Sequence, residues 1–368
     1  MAMYRRAIRP VLFALDAEAS HRATIGLCRT AGSSVILRRA AKARFGIRDS
    51  KLHTTVAGID FPGPVGLAAG FDKNAEAAPA MSELGFGSIE VGSVSLHSSK
   101  GNSDRPRVWR LPLDEGLRIY YGCPSDGAEV VAARLKSIKL DVPLGVSLVE
   151  TNTGTVTSAD HAAEELAHAM TYFSGLADYL VLNLSCPNMP RGGGLFDSPE
   201  KLGMLLRCCA QPAGMPPVFL KLTPPGDAED PSVIDLILGA VAPFDFVKGF
   251  ILNIPNRDPG GTLKTPPDSL NQMRGGITGP SLRQPTNKAI SAWYSRIDRK
   301  RHVLIGCGGI SSADDAYRTI RLGASLVQLY TALVYQGPGL IKSINEGLSR
   351  MLERDGFRTI GEAVGVGE

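Results

Sequence analysis

The chain has 368 residues, of which 43% are hydrophobic, and its mean hydropathy is close to zero. It contains no run of roughly 18 uncharged apolar residues and no apolar core typical of a signal peptide, so no segment is predicted to span a membrane. Its six cysteines form no CxxC pair, which argues against a zinc site or a disulfide framework. Composition predicts a soluble or peripheral protein with free thiols, as in a reducing cytosol.

Residues 1–45 are strongly basic, with nine Lys and Arg residues against two acids, a net charge of +7. Ile8, Val11, Leu12 and Leu15 recur at the spacing of one helical face. The pattern predicts one or two short basic amphipathic helices, either docked on an anionic membrane surface or packed as a solvated cap on the rest of the chain. Nucleic acid is not expected as a partner, because aromatic residues are not interleaved with the basic ones.

From residue 64 onward, short β-rich apolar runs alternate with helical patterns, as in repeated βα units around a parallel sheet. Eight units predict a closed (β/α)8 TIM barrel over residues 46–368, with residues 1–45 as an N-terminal helical extension. An open doubly wound sheet is the alternative, but nearly every strand ends in Gly, Ser, Asn or Lys, as expected where loops line a site. The predicted strands are 64–70, 88–95, 143–150, 178–185, 217–223, 248–254, 302–309 and 325–333.

Two connections are too long to be simple βα loops. Residues 95–126 contain a predicted hairpin around RVWRLP, and residues 255–280 are rich in Pro, Gly and polar side chains. Long loops above a barrel mouth usually serve as lids, so both are expected to cover the site.

Glycine-bearing loops follow the last two predicted strands. CGGIS (307–311) contains Gly308 and Gly309, and QGPG (336–339) opens the final helix. Loops of this kind at these barrel positions offer backbone N–H groups to a phosphate. The alternative is that the glycines only form tight turns.

Four polar side chains at strand ends are expected to point into the same mouth: Lys73, Asn183, Cys186 and Lys221. A buried lysine beside a flavin would stabilise the anionic reduced ring, although a lysine at a strand end can equally form a structural ion pair. Cys186 precedes Pro187 at the rim. Its thiol is a candidate general base, with a buried filler role as the alternative.

These motifs together resemble the dihydroorotate dehydrogenases, FMN enzymes that oxidise dihydroorotate to orotate in pyrimidine synthesis. The N-terminal extension is similar to that of the membrane-associated, quinone-reducing class, which implies quinone as acceptor and a cytoplasmic protein on the surface of the inner membrane. The resemblance is carried by 64–77, 84–94, 102–112, 178–188, 275–282, 305–342 and 356–365.

The resemblance implies a role for individual residues. Cys186 is the expected base, with Lys221 and Lys73 as further catalytic residues, and no metal is expected. Lys73, Asn183 and Asn188 fall at substrate-contacting positions. The positions expected to contact FMN are Ala69, Gly70, Lys73, Ser93, Asn183, Lys221, Thr278, Gly279, Gly308, Gly309, Tyr330 and Thr331.

The chain departs from the family pattern at several positions around the mouth. Cys186 stands where the quinone class has Ser, and Cys is typical of the soluble class. Other family residues are replaced as well, most of them asparagines that contact orotate or flavin. For the asparagine expected after the sixth strand, Asn253 or Asn256 is the expected substitute. The replacing residues are Pro124, Ser125, Ser147, Glu150 and Pro255.

Each lost asparagine would leave a buried group of a polar ligand unpaired, at about 1–3 kcal/mol apiece. The sequence therefore predicts FMN-dependent oxidation of dihydroorotate, with a related enzyme for a different cyclic substrate as the alternative. A flavoprotein without catalysis is the third reading, and the retained Lys73, Cys186 and Lys221 argue against it.

Overall fold

A computed structural model of the chain describes residues 3–47, 49–190, 194–210, 214–223, 230–253 and 263–367. The N-terminal segment begins as π-helix over Tyr4–Ile8 and continues as α1 (Arg9–Ala14), α2 (Ala17–Ser33) and α3 (Val35–Phe45). Asp16 and Ser34 cap α2 and α3, each accepting a hydrogen bond from the backbone N–H three residues later. These helices confirm the predicted N-terminal helical extension.

Thirteen strands lie in the described part of the chain, most of them short. They are β1 (Thr54–Val56), β2 (Ile59–Phe61), β3 (Val65–Leu67), β4 (Ser88–Val94), β5 (Val108–Leu111), β6 (Gly116–Ile119), β7 (Leu144–Leu148), β8 (Tyr179–Asn183), β9 (Val218–Leu222), β10 (Val247–Asn253), β11 (Gly276–Thr278), β12 (Val303–Cys307) and β13 (Leu326–Leu329).

Ten further α-helices follow the N-terminal three in the described residues. They are α4 (Ala78–Met81), α5 (Ala128–Leu135), α6 (Ala159–Thr171), α7 (Pro199–Cys209), α8 (Pro231–Val241), α9 (Pro267–Asn271), α10 (Arg283–Tyr294), α11 (Ala313–Arg321), α12 (Thr331–Gln336) and α13 (Leu340–Asp355).

Eight of the strands close into a parallel barrel in which each pairs with the next along the chain and β13 pairs with β3. All eight predicted strands are present, so the TIM barrel is confirmed and the open sheet is excluded. The last strand is shorter than predicted, because the apolar run continues into α12 from Thr331 onward. The barrel strands are β3, β4, β7, β8, β9, β10, β12 and β13.

The barrel interior is a packed core and not a channel. Tyr179 and Phe219 are fully buried there, with their rings edge to face at 5.5 Å between centroids. Phe61 of the β1–β2 hairpin packs on Tyr179 and belongs to the same apolar cluster, so the hairpin contributes to this interior core. Because the inside is filled with side chains, the described barrel interior has no room for a ligand.

A small antiparallel sheet is built from the two long connections. The predicted hairpin in residues 95–126 is present as β5 and β6, and β11 pairs with β6 from the other side. The second connection therefore joins the first. Residues 254–262 of that second connection lie outside the described residues, and the predicted lid role of both segments stays a prediction.

Ion pairs attach α2 to the first long connection. Glu18 is buried and accepts hydrogen bonds from the guanidinium group of Arg107, which is also buried, and it pairs with Arg105 at 2.8 Å. Burial raises the pKa of the Glu18 carboxyl, but these two arginines outweigh burial and hold its pKa below the ordinary value. Glu18 therefore stays charged and fixes the N-terminal helices beside the barrel mouth.

No helix among the described residues combines the length and the apolar character needed to cross a membrane.

Candidate functional site

A cavity opens at the carboxyl end of the barrel, below the small antiparallel sheet. Residues from the ends of seven barrel strands or their following loops line it, together with residues of β6 and β11. The cavity contains every residue that the sequence assigned to catalysis, cofactor or substrate. Those residues are Ala69, Gly70, Lys73, Ser93, Asn183, Cys186, Asn188, Lys221, Thr278, Gly279, Gly308, Gly309, Tyr330 and Thr331.

The loop after β3 is held by a buried carboxylate. Asp72 accepts hydrogen bonds from the backbone N–H groups of Glu76 and Ala77 at 2.9 and 2.7 Å. The loop then places the Lys73 amine 2.9 Å from the Gly70 carbonyl oxygen and over the ring of Tyr121, at 4.2 Å from its centroid. Burial lowers the pKa of Lys73 to about 8, so its charge is lost in the mildly alkaline range.

One wall of the cavity is built from backbone in a conformation that favours glycine. Gly308 and Gly309 both have positive φ, 130° and 78°. A Cβ atom on Gly309 would lie 2.4 Å from the backbone of Arg283, so a larger residue would displace the start of α10. Nearby, the hydroxyls of Thr278 and Thr331 are 2.8 Å apart. Glycine-bearing loops and hydroxyls at these barrel positions suit a phosphate group.

Lys221 lies at the floor of the cavity and is 4% exposed. Its Nζ is 3.6 Å from the carboxylate of Glu90, which is fully buried and also accepts a 2.6 Å hydrogen bond from Gln328. Burial lowers the pKa of Lys221, but Cys307 and Glu90 outweigh burial, so its pKa lies above the ordinary value. The surroundings of the lysine therefore favour its charged form despite burial. The ion pair that the sequence offered as one alternative is present, and Lys221 also lines the cavity, whereas its action on a flavin stays a prediction.

Two thiols meet at the mouth. The Sγ atom of Cys186, after β8, lies 3.2 Å from the Sγ atom of Cys123, after β6. The hydrogen bond from the Cys123 thiol lowers the pKa of Cys186, with a further contribution from Lys221. The same hydrogen bond and burial raise the pKa of Cys123. Cys186 is therefore the sulfur that loses its proton first, as a general base requires.

Asn188 presents an unsatisfied acceptor to the cavity. Its side-chain Oδ1 is buried without a hydrogen-bond partner, whereas its backbone carbonyl accepts from Asn102 Nδ2 at 3.1 Å. Asn183 donates to Ser93 Oγ at 2.7 Å. A buried acceptor without a partner is costly, so a ligand N–H group fits beside Asn188.

Four replaced family positions, Pro124, Ser125, Ser147 and Glu150, are not among the described residues that line this cavity. Pro124 follows Cys123, and Ser147 lies under the rim with its Oγ 2.8 Å from that of Ser93. Glu150 instead lines a smaller cavity that Cys186 also lines.

Of the replaced positions that remain, Ser125 is among the described residues and Pro255 is not. Ser125 is buried and accepts hydrogen bonds from the N–H groups of Ser95 and Gly127, so it holds its own loop. Asn253 lines the cavity as the possible substitute. Pro255 and Asn256 lie outside the described residues.

A second cavity lies between the N-terminal helices and the barrel, and it shares Tyr121 and Tyr330 with the first. Its walls are largely apolar, from α1, α2, α4 and β5. His21 lies between the rings of Phe71, Tyr121 and Tyr330, and its Nε2–H donates to the Phe71 carbonyl oxygen at 2.8 Å. Burial lowers the pKa of His21 to about 3, so it remains neutral.

Sequence reasoning missed three of the residues that shape the site: Cys123, Tyr121 and Glu90. Tyr121 and Cys123 lie within three residues of Pro124, in a segment that departs from the family pattern. That departure could have marked them as residues near the site. Glu90 lies inside a strand that reads as plain β-structure, and nothing in the sequence marked it as the partner of Lys221.

Among the described residues, no cluster of His, Cys, Asp and Glu has the arrangement needed to hold a metal ion.

Comparison with known proteins identifies the class. The model of the dihydroorotate dehydrogenase family matches residues 51–352. The quinone-type dihydroorotate dehydrogenase of Halobacterium salinarum is 38% identical over 364 residues, covering 98% of each chain. That of Deinococcus deserti is 37% identical over 381 residues, covering 99% of each.

Solved structures agree with the sequence relatives. The dihydroorotate dehydrogenase of Eimeria tenella in complex with ferulenol superimposes with a TM-score of 0.80 at 27% identity, over 95% of both chains. Its ligand-free form gives a TM-score of 0.77 at 28% identity, over 89% of this chain and 96% of the other.

The fold and the comparisons define an oxidoreductase on a TIM barrel. The chain belongs to the dihydroorotate dehydrogenase family, whose members are FMN-dependent oxidoreductases, and the relatives quoted above are quinone-linked.

Proposed function

We propose that this protein oxidises dihydroorotate to orotate with bound FMN, in pyrimidine synthesis, and passes the electrons to quinone. The observation that carries the proposal is the pairing of two cavities. One contains Cys186, Lys221 and other polar side chains, the other lies under the N-terminal helices and has fewer polar groups, and Tyr121 and Tyr330 line both. Dihydroorotate, which is polar, and quinone, which is apolar, can then approach the two tyrosines from opposite sides.

The residues of the first cavity fit FMN. Gly308, Gly309 and the two threonines form a cradle for its phosphate, and a Cβ atom at Gly70 would meet nothing within 4 Å, which leaves room for a ring. When bound, FMN would accept a hydride from carbon 6 of the substrate. Lys221 supplies a buried positive charge toward the negative charge that reduction produces. Ala69, Ser93, Asn183, Gly279 and Tyr330 complete the proposed FMN site.

Cys186 is the proposed general base and removes the proton from carbon 5 of the substrate. Its Sγ faces the cavity and accepts a hydrogen bond from Cys123, which favours the thiolate form before reaction. The proposed substrate contacts are an ammonium group and two amides: Lys73 for the carboxylate, and Asn183 and Asn188 for the ring amides.

Replacing the base gives a direct test. Cys186→Ala is expected to lower the rate of flavin reduction by dihydroorotate about 100-fold or more, because a positioned base typically contributes 10² to 10⁴ in rate. Cys186→Ser is the matched control, since a hydroxyl can still take the proton, and it should retain more activity than the alanine variant. Stopped-flow absorbance measures both. An unchanged rate in Cys186→Ala would remove the thiol from the mechanism.

The pKa of Lys73, about 8, predicts how ligand binding depends on pH. The ammonium group is charged below this pKa and neutral above it. The dissociation constant of orotate should therefore rise about tenfold between pH 7 and pH 9, since the charged fraction falls by nearly that factor. Titration of the FMN-loaded protein, followed by flavin absorbance, gives the constant. Lys73→Arg keeps its charge and should flatten the profile; a flat profile in the unmodified protein would contradict the assignment.

Quinone is proposed to occupy the second cavity. Its apolar walls suit a lipid-soluble ring and tail, and Tyr121 and Tyr330 separate it from the proposed flavin site. Arg110 lines it as well, with its guanidinium group bonded to the carbonyl oxygens of Leu12 and Leu15. The cavity thus depends on the N-terminal helices, and we propose residues 1–45 as a functional extension on a catalytic unit of residues 46–368.

We also propose that the N-terminal helices dock on an anionic membrane surface, on the cytoplasmic face of the inner membrane. Eight of the thirteen exposed large hydrophobic side chains in the described chain lie between residues 3 and 37, among exposed arginines. Leu27 and Ile36 are 70% and 79% exposed. An apolar, basic surface at the entrance to an apolar cavity suits a partner that resides in lipid.

Acidic residues in place of exposed apolar ones on this surface should weaken membrane binding. The double variant Leu27→Glu and Ile36→Glu is expected to bind phosphatidylglycerol vesicles at least about 100-fold more weakly, because each inserted side chain contributes about 1.5–3 kcal/mol and about 1.4 kcal/mol is a factor of ten. Co-sedimentation measures binding. Leu236→Glu, at an exposed position on α8, is the matched control and should bind normally. Equal binding by all three proteins would leave the N-terminal helices as a packed cap.

A different cyclic substrate remains the second candidate, for one specific reason. Glu150 is buried near the thiols, and the family has a lysine there. The charge of Glu150 adds to the hydrogen bond and burial that raise the pKa of Cys123, and it opposes the hydrogen bond from Cys123 that lowers the pKa of Cys186. A carboxylate in place of an ammonium group favours a ligand with less negative charge on that side. Turnover of a neutral dihydropyrimidine in preference to dihydroorotate would support this candidate.

A further inference from the structure

The two thiols at the barrel mouth have the geometry of a pair that can be joined. Cys123 and Cys186 are 63 residues apart in sequence, yet their sulfur atoms are 3.2 Å apart. A disulfide bond is about 2.05 Å long, so the sulfurs need to approach by only about 1 Å. Both side chains line the same cavity, which gives a small soluble oxidant access to them.

Hydrogen bonds between loops fix this arrangement. Gly122 and Cys123 both have positive φ, 66° and 53°, a conformation that is uncommon for a residue with a side chain. The Gly122 carbonyl accepts from Asn152 Nδ2 at 2.9 Å, and Asn102 Nδ2 donates to the carbonyl oxygen of Asn188, two residues after Cys186. Asn102 Nδ2 also donates to the carbonyl oxygen of Tyr120 at 3.1 Å, so this side chain bridges the two loops that carry the cysteines.

The remaining cysteines lie in different surroundings. Cys28 lines the second cavity, and burial raises its pKa to about 11. Cys307 is buried at the end of β12, where burial raises its pKa. Cys208 is exposed near the end of α7, outside both cavities. Cys209 is buried in α7, where burial raises its pKa to about 12. Cys186 differs from the three buried or half-buried cysteines because a thiol hydrogen bond lowers its pKa, so it is a better nucleophile than they are.

We propose that Cys123 and Cys186 form a redox-modification site, in which a hydroperoxide joins the two sulfurs as a disulfide and a dithiol separates them again. The structural part stands on the contact between the two thiols. Its effect on turnover rests on the proposed function, since the disulfide occupies the sulfur that serves as the base.

The reaction balances with hydrogen peroxide as oxidant. The Cys186 sulfur attacks one peroxide oxygen, the O–O bond breaks, and a sulfenic acid and one water are formed. The Cys123 sulfur then attacks the Cys186 sulfur, the S–O bond breaks, and the disulfide and a second water are formed. The two sulfurs together lose two electrons, which the peroxide gains. A dithiol reductant returns two electrons and two protons by thiol exchange.

The disulfide would abolish the proposed base and leave the proposed FMN site in place. Cys186 could no longer accept a proton, whereas the proposed FMN cradle at Gly308 and Gly309 lies on another wall and stays intact. Cys123 would also protect Cys186, because a sulfenic acid captured by a neighbouring thiol does not proceed to the irreversible sulfinic acid.

Peptide mapping of the full-length, FMN-loaded protein tests the site itself. The protein is treated with hydrogen peroxide, remaining thiols are alkylated with N-ethylmaleimide, and the digest is analysed by mass spectrometry. A linked pair of peptides containing Cys123 and Cys186, lighter by two hydrogens than the separate peptides, is expected, and dithiothreitol should abolish it. Cys208→Ser is the matched control and should still give the linked pair, whereas Cys123→Ser and Cys123→Ala should not.

Activity after peroxide provides the second readout. Turnover should fall about 100-fold, the usual contribution of a general base, and return with dithiothreitol. In Cys123→Ser or Cys123→Ala the loss should become irreversible, with Cys186 found as sulfinic acid. Two results would overturn the inference: alkylation of both thiols at peroxide levels that oxidise Cys208, or conversion of Cys186 to sulfinic acid in the unmodified protein without linkage.

The two proposals fail separately. Mapping requires no substrate, so a linked pair in a protein whose flavin dihydroorotate cannot reduce would support the modification site and contradict the proposed function. Turnover of dihydroorotate by a protein that never forms the linkage would do the reverse.

Discussion

Closure of the parallel barrel is the constraint on which the site depends. Because all eight strands run in the same direction and β13 pairs with β3, their carboxyl ends meet in one rim. Residues as distant in sequence as Lys73, Cys186 and Tyr330 are thereby brought to one cavity. Tyr179 and Phe219 help to fill the barrel interior, so the reaction is expected at the mouth and not deeper along the barrel axis.

The floor of the cavity shows how the core and the site are linked. Glu90 is fully buried and would be costly there as an isolated charge. Gln328 donates a hydrogen bond to one of its carboxylate oxygens and Lys221 pairs with the other at 3.6 Å, and in return Glu90 favours the charged form of the lysine at the cavity. The positive charge of Lys221, proposed to serve the cofactor, is thus favoured by Glu90 on a different strand, β4.

Local sequence patterns predicted the elements well because the barrel repeats one simple unit. The eight apolar runs and the β5–β6 hairpin were each recognisable from a few residues. The end of β13 was not, since an uninterrupted apolar run does not distinguish a strand from the helix that follows at Thr331. Site residues at strand ends, such as Lys221 and Cys186, were predicted from their position on the rim.

Contacts between distant segments could not be predicted in this way. Neither the pairing of Cys123 with Cys186 nor that of Glu90 with Lys221 has a local signal, because each depends on which strands become neighbours and on how a long connection folds back. The N-terminal helices illustrate the same limit. Their amphipathic pattern was clear, but the apolar cavity that they form with Phe71 and Tyr330 exists only once they are docked.

The central claim is that dihydroorotate in one cavity and quinone in the other exchange electrons through one bound flavin. It is tested most directly by adding dihydroorotate to the FMN-loaded protein without oxygen and following the visible absorbance of the flavin. We predict rapid bleaching, followed by recovery of the absorbance when a soluble quinone is added. A flavin that keeps its absorbance with dihydroorotate, yet bleaches with dithionite, would contradict the account.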